Sequence, residues 1–228
     1  MINMPKSWPA PACLETEQKK PNGHYDCGEV LERLVKDCFN KCYLCEQAAP
    51  ASLEIEHARP HRGDPALKFG WDNLLLACPH CNRIKNQGHQ PMINCGTESR
   101  RITDLIEVRL EPFPQERMRA VPASPDPDEA VVQTCRLLEA VFNGTTPHSR
   151  MECNNLQKHL LRELGEFQQL LRAYASLGSP PPEDLAAHLH PESAFTAFKI
   201  QILKDWPHRP AAWDALLKLV PLPPDAQQ

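Results

Sequence analysis

Apolar residues recur at helical spacing in several stretches of the chain. Between residues 29 and 39, the stretch EVLERLVKDCF predicts a helix that leads into the first cysteine pair. The sequence Asp126-Pro127-Asp128-Glu129 is typical of a helix start, and the helix that follows is expected to end near Gly144. A longer helix is predicted over residues 152–174. Shorter helices complete the pattern over residues 184–190, 192–206 and 211–220, after three prolines at 180–182.

Three short apolar runs predict strands: SLEIEH, NLLLAC and LIEVRL, at residues 52–57, 73–78 and 105–110. The Pro-rich stretch at 111–127 is expected to be a connector rather than part of a core. Strands therefore precede a helical region, which indicates an α+β protein. The expected division is a compact, Cys- and His-rich domain with its lead-in helix, a strand with the connector, and a helical lobe, at residues 1–96, 97–127 and 128–228.

Composition and charge restrict the possible functions. The chain has 228 residues, of which 41% are apolar, enough for one or two hydrophobic cores. Its formal net charge of −4 argues against binding nucleic acid through bulk electrostatic attraction, so any such contact is expected to be local or assisted by a partner. No apolar run approaches bilayer length and the N-terminal stretch lacks the apolar core of a secretory signal, so we expect a cytosolic protein.

Two CxxC pairs carry the strongest chemical signal. Cys42 and Cys45 are separated by 32 residues from Cys78 and Cys81. Two such pairs around a small domain are typical of a structural Cys₄ zinc site, which has no open position for catalysis. The remaining six cysteines show no convincing pairing, and most are expected to be small buried apolar residues: Cys13, Cys27, Cys38, Cys95, Cys135 and Cys153.

Candidate catalytic residues lie between and just after the cysteine pairs. Glu56 and His57 end the first predicted strand, Asn73 begins the second, and Asn82 follows the last cysteine. Carboxylate and amide oxygens are hard ligands suited to Mg²⁺ or Mn²⁺, and a neutral imidazole beside them can take a proton from water. Each residue alone has a simpler explanation as a solvated strand edge or a helix cap, so the order and spacing carry the hypothesis of a metal-assisted hydrolase.

The stretch EIEHARPHRGDPALKFGWDNLLLACPHCNRIKN resembles the motif of HNH endonucleases. The resemblance implies a zinc-stapled, treble-clef-like ββα-metal core with one catalytic Mg²⁺ or Mn²⁺. It implies that Glu56 and Asn82 bind this metal and that His57 is the general base. Asn73 would brace the loop so that a backbone carbonyl orients the base. Glu56 departs from the more frequent Asp or His at its position.

A local basic cluster surrounds these residues in an otherwise acidic chain, and it predicts contacts to a nucleic-acid backbone rather than to bases. Lys85 is one helical turn after Asn82 and is expected on the same face. His80 and His89 are weaker candidates, because four cysteines already saturate a tetrahedral zinc site. The cluster consists of Arg59, His61, Arg62, Arg83 and Lys85.

A closer resemblance covers roughly residues 1–175 through PHRGDPALKFGWDNL, HCNRIK, INC, VFNG and NLQKHLLRELGEF, in that order. This combination is similar to the HNH component of Septu-type anti-phage defence systems, which implies a prokaryotic protein that cleaves DNA together with a partner ATPase. The helical lobe is the expected docking surface. Two alternatives stay open: an HNH-type nuclease acting on RNA, and a zinc-stapled protein-interaction module without catalysis.

Overall fold

The computed structural model describes residues 1–85, 88–111, 117–144, 146–174 and 183–223. Helices and two small antiparallel sheets make up this part of the chain, with a helical C-terminal region, so the predicted α+β class is confirmed. None of the described helices is long and apolar enough to span a membrane.

The N-terminal segment forms helix α1 (Ala12–Gln18) and helix α2 (Gly28–Asp37), and α2 confirms the helix predicted before the first cysteine pair. Although this segment is polar and Pro-rich in sequence, its first residues Ile2 and Met4 are fully buried. Four of the six cysteines outside the CxxC pairs are free and buried, as was expected of most of them, whereas Cys13 and Cys27 form a disulfide. The disulfide closes the loop between α1 and α2.

A ββα unit follows. Strand β1 (Glu54–His57) pairs antiparallel with strand β2 (Leu74–Ala77), with His57 opposite Leu74, and helix α4 (Pro79–Lys85) comes next. Both strands lie where the apolar runs predicted them. The connection contains helix α3 (Pro65–Phe69) and a 3₁₀ turn (Trp71–Asn73). Asp64 caps α3 by accepting a hydrogen bond from the Ala66 amide, and Pro65 occupies the first helical position.

A second sheet corrects the predicted connector. After the short helix α5 (Ile102–Leu105), strand β3 (Ile106–Glu111) pairs with strand β4 (Arg117–Pro122), which lies inside the Pro-rich stretch. Met118 and Ala120 alternate with exposed residues and are buried, so β4 contributes to the core. The rest of the connector at 112–116 lies outside the described residues.

The helical region contains helices α6 (Glu129–Asn143), α7 (Pro147–Tyr174), α8 (Glu183–Leu189) and α9 (Thr196–Asp205). Helix α6 is capped by Asp128, which accepts a hydrogen bond from the Val131 amide. Helix α7 begins five residues earlier than predicted, and the stretch predicted as the last helix is a 3₁₀ helix (Ala211–Lys218). The prolines at 180–182 lie outside the described residues.

The ββα unit and the helical region share one continuous hydrophobic core. Two buried charged residues reinforce the junction. The Lys41 ammonium donates hydrogen bonds to the carbonyl oxygens of Pro191 and Ser193, at 2.8 and 2.7 Å. The Glu46 carboxylate accepts a hydrogen bond from the Ala197 amide of α9, at 3.1 Å. The residues that flank the first cysteine pair are therefore bonded to residues 191–197.

Candidate functional site

The four cysteines of the two CxxC pairs converge on one point. Their sulfur atoms all lie within 4.8 Å of one another, and all four residues are buried. The turn after the first pair is closed by a hydrogen bond from the Glu46 amide to the Cys42 carbonyl, and the second pair lies at the start of α4. Four buried thiols at this separation fit a tetrahedral zinc ion and leave no ligand position open for water. The predicted structural zinc site is therefore consistent with the geometry.

An open cavity of about 360 Å³ lies beside this cluster. It brings together most of the predicted catalytic residues with part of the basic cluster, and side chains from the N-terminal segment, β1, the following loop and α4 form its wall. The lining residues are Tyr25, Ile55, Glu56, His57, Pro60, His61, Arg62, Asn82 and Lys85.

His57 is positioned to act as a base. Its Nε2 atom lies 3.0 Å from the Lys68 carbonyl oxygen. Because a carbonyl can only accept, Nε2 carries the proton and Nδ1 is left with a lone pair. Burial lowers the pKa of His57, which favours the neutral imidazole. A neutral ring with a free nitrogen is the form that a general base requires.

Asn73 forms side-chain hydrogen bonds within the loop that follows His57. Its Nδ2 group donates hydrogen bonds to the carbonyl oxygens of Arg59 and Leu67, both at 2.9 Å, and its Oδ1 accepts one from the Arg59 amide at 2.8 Å. The buried amide thus links both sides of the loop, next to the Lys68 carbonyl that binds His57. The bracing role that the resemblance implies for Asn73 stays a prediction, and Asn73 itself lies outside the cavity lining.

Glu56 is buried and already has two partners. Its Oε2 accepts a hydrogen bond from the Tyr43 hydroxyl at 2.9 Å, and its Oε1 forms an ion pair with the Lys85 ammonium. Lys85 also donates to the His57 carbonyl at 2.5 Å. Burial raises the pKa of Glu56, whereas Lys85 and Tyr43 oppose that rise.

Lys85 was expected to extend toward a phosphate, and its placement differs from that expectation. Only 5% of the residue is exposed, and its ammonium is turned inward. The physical reason is that a buried carboxylate needs a counter-charge, and α4 packs against β1 so that Lys85 provides it.

Asn82 is held by a residue that the sequence reasoning missed. Its Nδ2 donates a 2.8 Å hydrogen bond to Oε2 of Glu54, two positions before Glu56 on the same face of β1. Among the residues that the structure describes, Oδ1 of Asn82 accepts no hydrogen bond. The period-two spacing of Glu54 and Glu56 was the available signal. Glu54 therefore fixes which end of the Asn82 amide donates, and leaves the oxygen as a potential ligand.

The basic cluster divides in two. Arg62 and His61 line the cavity and Arg59 is exposed on the same loop. Arg83 instead pairs with Glu152 of α7. His80 also contacts Glu152, at 2.9 Å, and lies 2.8 Å from the Val141 carbonyl. These contacts join α4 to α6 and α7.

The donors in the cavity fit a hard divalent cation. Glu56 and Asn82 present carboxylate and amide oxygens to one polar space. The ammonium of Lys85 at Glu56 shows that this carboxylate takes a positive partner here. A metal ion bound by Glu56 would share the carboxylate with the Lys85 ammonium or displace that ammonium.

Comparison with known proteins agrees with this geometry. Residues 42–88 match the family model described as HNH endonuclease, so this part of the chain is similar to an HNH endonuclease domain. Among curated proteins, the Septu protein PtuB of Bacillus mycoides (strain KBAB4) is 33% identical over 82 residues. That alignment covers 29% of this chain and 28% of the relative, so the chain matches under a third of the relative's length. Both resemblances inferred from sequence are confirmed.

Proposed function

We propose that this protein is a metal-dependent HNH endonuclease that hydrolyses phosphodiester bonds in DNA. The observation that carries the proposal is the convergence of Glu56, His57 and Asn82 in one open cavity, with the free nitrogen of His57 set by the Lys68 carbonyl. The HNH match over residues 42–88 supports the same chemistry.

In the proposed mechanism, Nδ1 of His57 takes a proton from water as its oxygen forms a bond to phosphorus. The bond from phosphorus to the 3′ oxygen breaks, and that oxygen takes up a proton from solvent. Hydrogen bonds from Asn73 keep the loop carbonyls fixed while His57 changes its protonation state. A divalent ion held by Glu56 and Asn82 would offset charge on the phosphate and on the departing oxygen.

The proposed substrate is bound through its backbone. Arg62 at the cavity and Arg59 on the same loop supply local positive charge in a chain of net charge −4, and His61 beside them offers a further polar contact. Phosphate contacts of this kind position a substrate without reading its sequence. We infer DNA as the substrate, and RNA is the alternative that the cleavage assay distinguishes.

The similarity to a Septu protein supports a role in phage defence. By resemblance to that class, the partner is an ATPase, and the helical region provides its docking surface. An acidic chain with few free cations at its site binds DNA weakly by itself, so a partner that delivers the substrate fits the charge. A cytoplasmic, prokaryotic location belongs to the same proposal.

One observation favours a second function. Lys85 neutralises Glu56 in the structure, which is the arrangement expected of a zinc-stapled interaction module that needs no catalytic metal.

Plasmid cleavage with Mg²⁺ or Mn²⁺ tests the two functions against each other. The wild type should nick DNA, and His57→Ala and Asn82→Ala should each lose at least about a hundredfold in rate. The matched controls are His208→Ala and Asn154→Ala, which replace exposed residues of the helical region. Both control variants should cleave DNA at the wild-type rate. Undiminished cleavage by both site variants would refute the active-site assignment. If the protein cleaves an RNA of equal length faster than DNA, then RNA is its substrate.

A further inference from the structure

An aromatic residue from outside the ββα unit contacts the proposed base. Tyr25 lies in the loop between α1 and α2, and its ring meets His57 edge-on, with centroids 4.6 Å apart and planes at 78°. His61 contacts the same imidazole at 4.9 Å. Tyr25 also lines the cavity. Two ring side chains therefore contact the His57 imidazole.

The loop that carries Tyr25 is held in place at several points. The Cys13–Cys27 disulfide closes it, and Oε2 of Glu17 accepts a hydrogen bond from the His24 amide at 3.1 Å. Gly23 packs so tightly that a Cβ atom there would lie 1.8 Å from the Glu17 carbonyl oxygen. The position of Tyr25 is thus built into the fold around α1.

Lys68 joins this loop to the base. Its ammonium donates a 2.8 Å hydrogen bond to the Gly23 carbonyl, and its own carbonyl accepts a hydrogen bond from Nε2 of His57. One residue therefore fixes both the Tyr25 loop and the hydrogen-bonded nitrogen of His57.

We propose that Tyr25 is a positioning residue for His57. Its ring packs against the imidazole and limits rotation, so that Nε2 stays on the Lys68 carbonyl and Nδ1 stays available to water. The inference rests on the proposed nuclease function, and it assigns part of the site to the N-terminal segment. An edge-to-face aromatic pair is strong enough for its loss to reduce the rate about tenfold.

Two substitutions separate the ring from the hydroxyl. Tyr25→Phe keeps the aromatic edge and should retain at least half of the wild-type kcat. Tyr25→Leu removes the ring and should lower kcat about tenfold with KM unchanged, since the base and not substrate binding is affected. Tyr174→Leu is the matched control, because Tyr174 is also half-buried but lies on α7. Rates are measured with a fluorescent oligonucleotide duplex and Mn²⁺.

A second readout needs neither metal nor activity. In ¹⁵N spectra of the metal-free protein, wild type and Tyr25→Phe should show His57 as a single tautomer protonated at Nε2. Tyr25→Leu should show exchange between tautomers. An unchanged kcat and a single tautomer in Tyr25→Leu would overturn the proposal. So would a Tyr25→Phe variant as slow as Tyr25→Leu, or a change confined to KM, since both indicate direct substrate contact. If the wild type cleaves nothing, the proposed function fails while the tautomer measurement still decides the role of Tyr25.

Discussion

The cysteine cluster and the cavity beside it share helix α4 but are built in opposite ways. Cys81 on this helix is one of four identical soft ligands, all buried and all close to one point. Asn82 and Lys85, on the same helix, join a mixed set of polar groups around an open space. A saturated site holds shape, whereas an open site with free lone pairs can bind and release other molecules. We therefore expect cysteine substitutions in the cluster to abolish zinc binding and folding. Single substitutions at the cavity should each cause only a partial loss of stability, activity or metal binding.

The largest effect should come from the cluster. The double variant Cys45→Ser, Cys81→Ser should lose zinc and cooperative folding, because a structural zinc contributes on the order of 10 kcal/mol, comparable to the whole stability of a domain. Elemental analysis and thermal unfolding by circular dichroism measure this. Cys135→Ala, a buried thiol of α6 outside the cluster, should keep both. A double variant that folds cooperatively without zinc would contradict the structural role of the cluster.

At the cavity, the largest change in stability should come from Lys85→Met. The substitution leaves the buried Glu56 carboxylate without its counter-charge, at a cost of about 3 kcal/mol in the free energy of unfolding. Mn²⁺ should restore part of that loss, which urea unfolding with and without the metal measures. Arg83→Met removes a half-exposed partner of Glu152 and should cost less than about 1 kcal/mol. Equal stability of the two variants would show that Glu56 does not need Lys85.

Asn73→Ala should separate loop bracing from metal binding. Without its three side-chain hydrogen bonds the loop carbonyls lose their fixed positions, and nuclease activity should fall about 10- to 100-fold while zinc content stays unchanged. Asn94→Ala is the control, since it removes a loop amide that bonds Asp72 and Gly96 away from His57. A full rate in Asn73→Ala would argue that His57 is oriented without the brace.

The pH dependence of cleavage should report the environment of His57. Burial lowers its pKa below the ordinary 6.5, so the neutral base persists as pH falls past that value and protonates only below it. The same shift contributes stability above about pH 6.5 that is lost as pH falls through the lowered pKa. The acid limb of the rate, measured from pH 5 to 8, should therefore be centred below pH 6.5. An acid limb centred at or above 6.5 would contradict the assignment.

The smallest effect should come from Glu54. In Glu54→Ala the Asn82 amide is free to rotate, and Mn²⁺ affinity should fall about three- to fivefold, the worth of one partly exposed hydrogen bond. Glu54→Gln keeps an acceptor oxygen and should stay closer to the wild type. Water-proton relaxation during Mn²⁺ titration measures both. Stronger Mn²⁺ binding by Glu54→Ala would mean that Glu54 restrains the amide in the wrong orientation.

The two sites also differ in how far they could be predicted from sequence. The cluster follows from spacing, because a CxxC turn brings its two sulfurs together through local geometry and the metal requires two such turns. The placement of Glu56 and His57 at the end of β1 likewise follows from the local apolar pattern. These features depend on few residues close together in the chain.

What the sequence did not predict depends on contacts between distant segments. The inward turn of Lys85 requires the packing of α4 on β1, and the position of Tyr25 requires the loop between α1 and α2 to reach the cavity. Strand β4 was missed because the prolines of the surrounding stretch suggested a connector. The proline within β4, Pro122, lies at the strand end, where proline is tolerated. The Cys13–Cys27 pairing had no motif to reveal it.

The buried hydrogen bonds of Lys41 and Glu46 couple the turn before α9 to the first cysteine pair. Lys41 precedes Cys42 and Glu46 follows Cys45, so both flanks of this cysteine pair are tied to residues 191–197. A displacement of that turn by α8 or α9 must either move the first cysteine pair or break buried polar contacts. The cysteine cluster then passes the displacement into α4, and so to Asn82. The polar contacts of residues 191–197 thus connect the outer helices to the cavity through the first cysteine pair and α4.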